Sequence, residues 1–297
     1  MNSKMREERI AIASIPVALI AASIVGWAGS AGGGTILGVP VFAALYGLAF
    51  LIQWIVFMPS YLLRSERFFD ITGSVTYVSV TAIAVSLSTP VDARSALLLG
   101  LVVVWALRLG TFLLRRVLRA GKDDRFDRIK GSFARLLLTW TLQGLWVSLT
   151  LAASLAAITS GARQPLGVAA FIGLALWLVG FGLEATADAQ KNRFRSNPAN
   201  KGEFIRSGLW SWSRHPNYFG EILLWTGIAV IAAPVLSGWQ WTTMISPVFV
   251  ALLITRISGI PMLEKRANEK WGERDDYRAY KRRTSILIPR PPRREKA

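Results

Sequence analysis

The chain has 297 residues, is 52% hydrophobic with a mean hydropathy of +0.38, and carries a formal net charge of +17. It contains no cysteine and a single histidine, which excludes disulfides, thiolate metal sites, cysteine nucleophiles and multi-histidine metal centres. Its uncharged runs are long enough to cross hydrocarbon and show no polar face at period 3.6, so a soluble helical core is excluded as well.

In chain order, the first apolar run covers residues 11–29 behind Lys4, Arg6 and Arg9. No cleavage site follows, so it reads as a span and not as a signal peptide. Gly29–Gly34 lacks the spacing and the strand-to-helix context of a dinucleotide fingerprint and reads as a flexible turn. Seven further spans follow at 39–63, 72–91, 95–114, 136–158, 166–185, 218–235 and 240–259, the last interrupted by Pro247. The expected fold is all-α: a polytopic bundle of eight spans with a cytoplasmic cofactor pocket. Three parts are expected: substrate-side spans at 1–94, a catalytic membrane domain at 95–289, and a disordered basic tail at 290–297.

Basic residues alternate sides across these spans. The loops 30–37, 88–94, 161–165 and 234–239 hold only Arg94 and Arg163, and the remaining cationic loops lie on the side of both termini. The positive-inside rule puts both termini in the cytoplasm, where Lys and Arg also meet anionic membrane lipids. With no soluble basic domain, nucleic acid is not an expected partner.

Two early spans carry polar groups. Asp70 and Tyr77 are seven apart and share a helical face, which makes them the candidate catalytic pair on the substrate side, with helix capping by Asp70 as the alternative. Arg108 lies within a span, where an arginine is costly unless it faces a cavity or partner, and is assigned to the cofactor or substrate cavity. Arg115, Arg116, Arg125 and Asp127 continue into the next cytoplasmic loop.

The stretch from Asp188 to Glu221 concentrates the chemistry. Glu184, Asp188, Lys191 and Arg195 follow at helical spacing, and Asn197-Pro198 stops that helix. In Arg214-His215-Pro216-Asn217-Tyr218, Pro216 suits the first turn of a new helix, whose free amides beside Arg214 and the only histidine make an expected anion site. Asn217 and Tyr218 share a face with Glu221, an acid at the membrane boundary.

Gln190-Lys-Asn-Arg-Phe-Arg-Ser-Asn-Pro198, Gly208-Leu-Trp210 and Arg214-His-Pro-Asn-Tyr-Phe-Gly-Glu221 resemble the C-terminal half of the steroid 5-alpha-reductase and sterol C14-reductase superfamily, over roughly 95–289. The resemblance is to bacterial members and implies an inner-membrane enzyme that transfers hydride from NADPH to an activated carbon–carbon double bond of a steroid-like or isoprenoid lipid. It implies that Asp188, Lys191, Arg195, Asn197, Trp210, Arg214, His215, Asn217, Tyr218 and Glu221 line the NADPH pocket, joined by Glu264, Arg266, Tyr277 and Tyr280; no metal is implied. Tyr77 or Tyr218 would stabilise or protonate the enolate. The family's adjacent Gln-Glu pair is absent, since Trp54 follows Gln53.

The alternative is an S-adenosylmethionine-dependent methyltransferase of the isoprenylcysteine carboxyl methyltransferase type, which shares the Arg-His-Pro run. Its paired glutamates are replaced here by Leu263-Glu264, and it lacks a Lys191-to-Arg195 type of helix. A lipid-binding or transport protein would explain the spans but not the polar crowding at one end.

Overall fold

The computed structural model describes residues 3–120, 126–127 and 129–291. Among them, eight stretches are helical, long and apolar enough to cross a membrane, which makes this an integral membrane protein with an all-α architecture. The helices are α1 (Ser3–Gly29), α2 (Val41–Leu62), α3 (Phe69–Leu87), α4 (Ala93–Ala120), α5 (Phe133–Thr159), α6 (Val168–Ser196), α7 (Pro216–Ala232), α8 (Ile245–Leu252), α9 (Ile260–Trp271) and α10 (Asp275–Arg283). A short hairpin, β1 (Thr35–Ile36) and β2 (Val39–Pro40), precedes α2. Pro247 does not break the last span, because it falls in the first turn of α8, where no intrahelical partner is needed for a missing N–H.

The chain divides into two compact units, one of Met1–Ala170 with Ala229–Ser246 and one of Phe171–Ile228 with Pro247–Ala297. This division does not follow the boundary expected at 94/95. α3 and α4 pack on each other, and α1 and α2 pack on α5, so spans on both sides of residue 94 share one core.

α5 is the axis of the first unit, buried at every position from Val147 to Thr159. Its Leu-Ala-Ala-Ser-Leu-Ala-Ala run keeps the helix thin, so neighbours approach closely. Gly144 serves the same end: a β-carbon there would stand 2.8 Å from the ring of Phe50. The Gly29–Gly34 segment is pinned, not flexible. The Gly34 amide donates to the Thr159 carbonyl and the Gly161 amide to that of Gly32, both at 3.0 Å.

In the second unit α6 and α7 run antiparallel with glycine against backbone. A β-carbon on Gly180 would lie 2.6 Å from the Gly220 carbonyl oxygen, and one on Gly227 would collide with that of Gly173. Such small-residue contacts let two helices approach without interposed side chains. After α8 the helix loosens into a π turn at Leu253–Ile257, closed by the Ser258 amide on the Leu253 carbonyl at 2.9 Å. Gly259 then breaks the helix against Tyr218, and a β-carbon there would stand 3.1 Å from the Tyr218 ring. This kink lets α9 start anew under the beginning of α7.

The end of the chain also departs from expectation. Arg290, placed in the disordered tail, donates its amide to the Trp212 carbonyl at 3.0 Å. Residues 292–297 of that tail lie outside the described residues.

Candidate functional site

The cytoplasm-expected end of the second unit gathers a polar cluster from four segments. α6 continues past its apolar part and stops at Ser196, where the Asn197 side chain accepts from the Ala199 amide at 3.1 Å and starts a short turn. On its last turns Asp188 is buried and Lys191 half-buried. The Lys191 ammonium sits 4.4 Å from the centroid of the Trp210 ring, a cation–π contact. Trp210 is fixed by its indole N–H, which donates to the Ala187 carbonyl at 3.0 Å.

Trp210 lies in a short turn that only glycine can open. Gly208 has φ +61, and a β-carbon there would stand 2.6 Å from Gln190 Oε1, the atom that accepts from the Leu209 amide at 3.0 Å. α7 then begins at Pro216, as the sequence implies. Asn217 Nδ2 donates to Asp188 Oδ1 at 3.2 Å, tying α7 to α6. The His215 ring lies nearly parallel to that of Tyr218, with centroids 5.7 Å apart.

Glu264, on α9, is the hub. Its Oε2 accepts from Arg214 Nη1 at 2.6 Å, and its Oε1 lies 2.9 Å from His215 Nε2. Lys281 approaches the same carboxylate at 3.6 Å and donates to Asn268 Oδ1 at 2.7 Å. Burial pushes the His215 imidazole below its ordinary value; the Glu264 bond pulls upward, and the charges of Lys191 and Arg214 add to the downward side.

The final segment straps this turn in place. Tyr280 donates its hydroxyl to the Trp210 carbonyl at 2.6 Å, Ser213 donates to the Leu287 carbonyl at 2.7 Å, and the Arg214 amide donates to the Ser285 carbonyl at 2.8 Å. Phe204, Tyr277 and Tyr280 form the aromatic bed beneath it. Burial raises both tyrosine hydroxyls above their ordinary value, so they stay protonated donors.

The structure thus brings together Asp188, Lys191, Trp210, Arg214, His215, Asn217, Tyr218 and Glu264. Glu221 follows one turn into α7, half-buried. Tyr280 supports Trp210 from behind. Arg195 and Asn197 are exposed at the end of α6, and Arg195 is close enough to add its charge to the field at Lys191. Arg266 is not gathered in: it is exposed, and two residues past Glu264 it faces the opposite side of α9.

Asp70, Tyr77 and Arg108 belong to the other unit. Asp70 is not the N-cap of α3, since Phe68 holds that position; it lies in the first turn. Tyr77 is buried edge-on to Trp105, with centroids 5.0 Å apart. Arg108 lies 5.9 Å from the Phe112 ring centroid. In the loop beyond α4, Asp127 pairs with Lys130 at 2.9 Å, while Arg125 and the side chain of Arg116 lie outside the described residues.

Three contributors escaped the sequence: Gln190, Ser213 and Lys281. Gln190 is adjacent to Lys191 and could have been found as a polar residue facing a glycine turn. Lys281 reaches Glu264 across the break between α9 and α10, which no periodicity encodes.

Residues 56–284 match the family described as "Protein of unknown function (DUF1295)", and the chain belongs to that family. No curated protein and no solved structure matches it.

Proposed function

For this DUF1295 membrane protein we propose an NADPH-dependent reductase that acts on an activated carbon–carbon double bond of a lipophilic, steroid-like or isoprenoid substrate. The observation that carries this is the charge arrangement around Lys191. A half-buried ammonium stacked on Trp210 stands beside Arg195 and within the field of Asp188. Two neighbouring cations at the end of an apolar bundle fit a polyphosphate-bearing cofactor.

The residues present fit NADPH. Lys191 and Arg195 would hold phosphate, and Asn217 with Glu221 would meet the nicotinamide amide. When bound, the cofactor supplies hydride to the β-carbon of the substrate. Tyr218, stacked on His215, would hold and donate the proton that completes the reduction. Asp70 and Tyr77 remain proposals for groups that meet the substrate.

A methyltransferase using S-adenosylmethionine is less well supported, because Lys191 already covers the aromatic face that a sulfonium cation would seek. The test is titration of the detergent-solubilised chain with NADPH, NADH and S-adenosylmethionine, repeated with Lys191→Ala and Arg195→Ala. NADPH binding weakened about tenfold or more by either variant is expected, the worth of one charge-assisted contact. Binding of S-adenosylmethionine in place of NADPH would overturn it.

A further inference from the structure

Read as sequence, Arg214-His215 at a helix start is an anion site. The structure gives the pair a different chemistry. Glu264 takes Arg214 on one oxygen and His215 on the other, with Lys281 beside it. A carboxylate held by two cations is ionised and can only accept, so His215 Nε2 must carry a proton and donate to it.

The remaining ring nitrogen decides the rest. The His215 side chain is 6% exposed, and its Nδ1 is buried with no hydrogen-bond partner among the described residues. A proton there would be a second buried donor with nothing to accept it, next to the positive charges of Arg214 and Lys191, and that is costly. Nδ1 is therefore a bare lone pair. Arg214 Nε is likewise buried without a partner among the described residues.

We propose that Glu264 is a positioning residue which neutralises Arg214 and fixes His215 as the Nε2–H tautomer, turning this pair from an anion site into a neutral subsite whose Nδ1 accepts from a ligand hydroxyl or amino group. The inference rests on the cluster being a ligand site, and it divides that site in two. Phosphate belongs to the Lys191 and Arg195 side; a hydroxyl or amino group belongs to the His215 side. The charged and titratable groups around the imidazole are Lys191 from α6, Arg214 before α7, Tyr218 on α7, Glu264 on α9 and Lys281 on α10.

The single histidine makes the test direct. In protein labelled with 15N at histidine, the ligand-free spectrum near pH 7 should show one protonated nitrogen, Nε2, and one bare nitrogen, Nδ1. Titration with pyrophosphate should leave both signals in place. In Glu264→Gln the tautomers should mix, and pyrophosphate should move the ring signals with an affinity at least about tenfold higher than in the unaltered chain, as one freed charge-assisted contact allows. A protonated Nδ1 in the resting protein, or ring signals that pyrophosphate moves before any substitution, would overturn the assignment. The resting spectrum needs no cofactor and no folded variant. A chain that gave the expected spectrum yet failed to bind NADPH would sink the reductase proposal and leave this one standing.

Discussion

The two units handle buried polarity in different ways. In the first, hydroxyls mostly bond backward along their own helices: Thr72 to Phe68, Thr76 to Thr72, Thr81 to Tyr77, Ser88 to Ala84, Thr141 to Leu137. Such bonds satisfy a group in hydrocarbon without committing it to a partner helix. In the second unit the buried polar groups reach far along the chain, from Arg214 and His215 to Glu264, from Asn217 to Asp188, and from Tyr280 to Trp210. Local bonds make a helix tolerable in lipid, whereas long-range ionic bonds fix a shape. The second pattern is what a ligand site requires.

The comparison breaks most violently at the glycine contact that lets the second unit close. Gly180→Val puts a branched side chain where even a β-carbon meets the Gly220 carbonyl at 2.6 Å. A loss of about 3 kcal/mol or more is expected, enough to unfold a marginal chain. Gly182→Ala is the control, because a β-carbon there meets nothing within 4 Å. Thermal unfolding in detergent should separate the two; equal melting temperatures would show that α6 and α7 do not need this approach.

Next in size is Glu264→Ala, which leaves Arg214 and His215 without their shared acceptor. Breaking a fully buried pair costs about 3–5 kcal/mol, and partial exposure of Glu264 brings the expectation down to about 2 kcal/mol. Unfolding by denaturant should report it. No loss would mean that Lys281 and water had already screened the hub.

A smaller effect follows from pH. His215 is depressed below 6.5 in the folded chain, first by burial. The unfolded chain therefore binds a proton at a higher pH than the folded one. The histidine costs nothing above about pH 6.5, and stability drops as pH falls from there toward the folded value. A melting temperature that declines between pH 6.5 and 5, with a shallower decline in His215→Asn, is the expected outcome. A melting temperature that rises over the same interval would mean the imidazole is charged in the folded state.

Much of this was legible because two rules act locally. Apolar runs of bilayer length located all eight spans, and the turn chemistry of Asn197-Pro198 and Pro216 located the end of α6 and the start of α7. The contacts that define the site were not legible. Glu264 was named, but as a cofactor contact; nothing in its spacing says that it grips Arg214 and His215. That contact depends on the π turn and the break at Gly259, which set the direction of α9. Arg266 was named with Glu264 from the same resemblance and is exposed two residues further along α9. The sequence around Arg214-His215 gives no hint of the contact either, because the partner carboxylate comes from a separate helix.

The smallest expected effect tests the first unit and marks where its polarity stops being structural. Gln53 is fully buried, with Nε2 donating to Thr76 Oγ1 at 2.8 Å and Oε1 unpartnered among the described residues. Thr76 keeps its own donation to the Thr72 carbonyl at 2.7 Å whatever stands at position 53. Gln53→Leu removes a half-satisfied amide and fills the space with a hydrocarbon of similar size, so stability should change by no more than about 0.5 kcal/mol, in either direction. Activity should be untouched if Gln53 only bridges α2 to α3. A variant of unchanged melting temperature that had lost the proposed activity would assign that open carbonyl to a ligand. The first unit would then carry a polar group kept for chemistry, and the contrast between the two units would no longer hold.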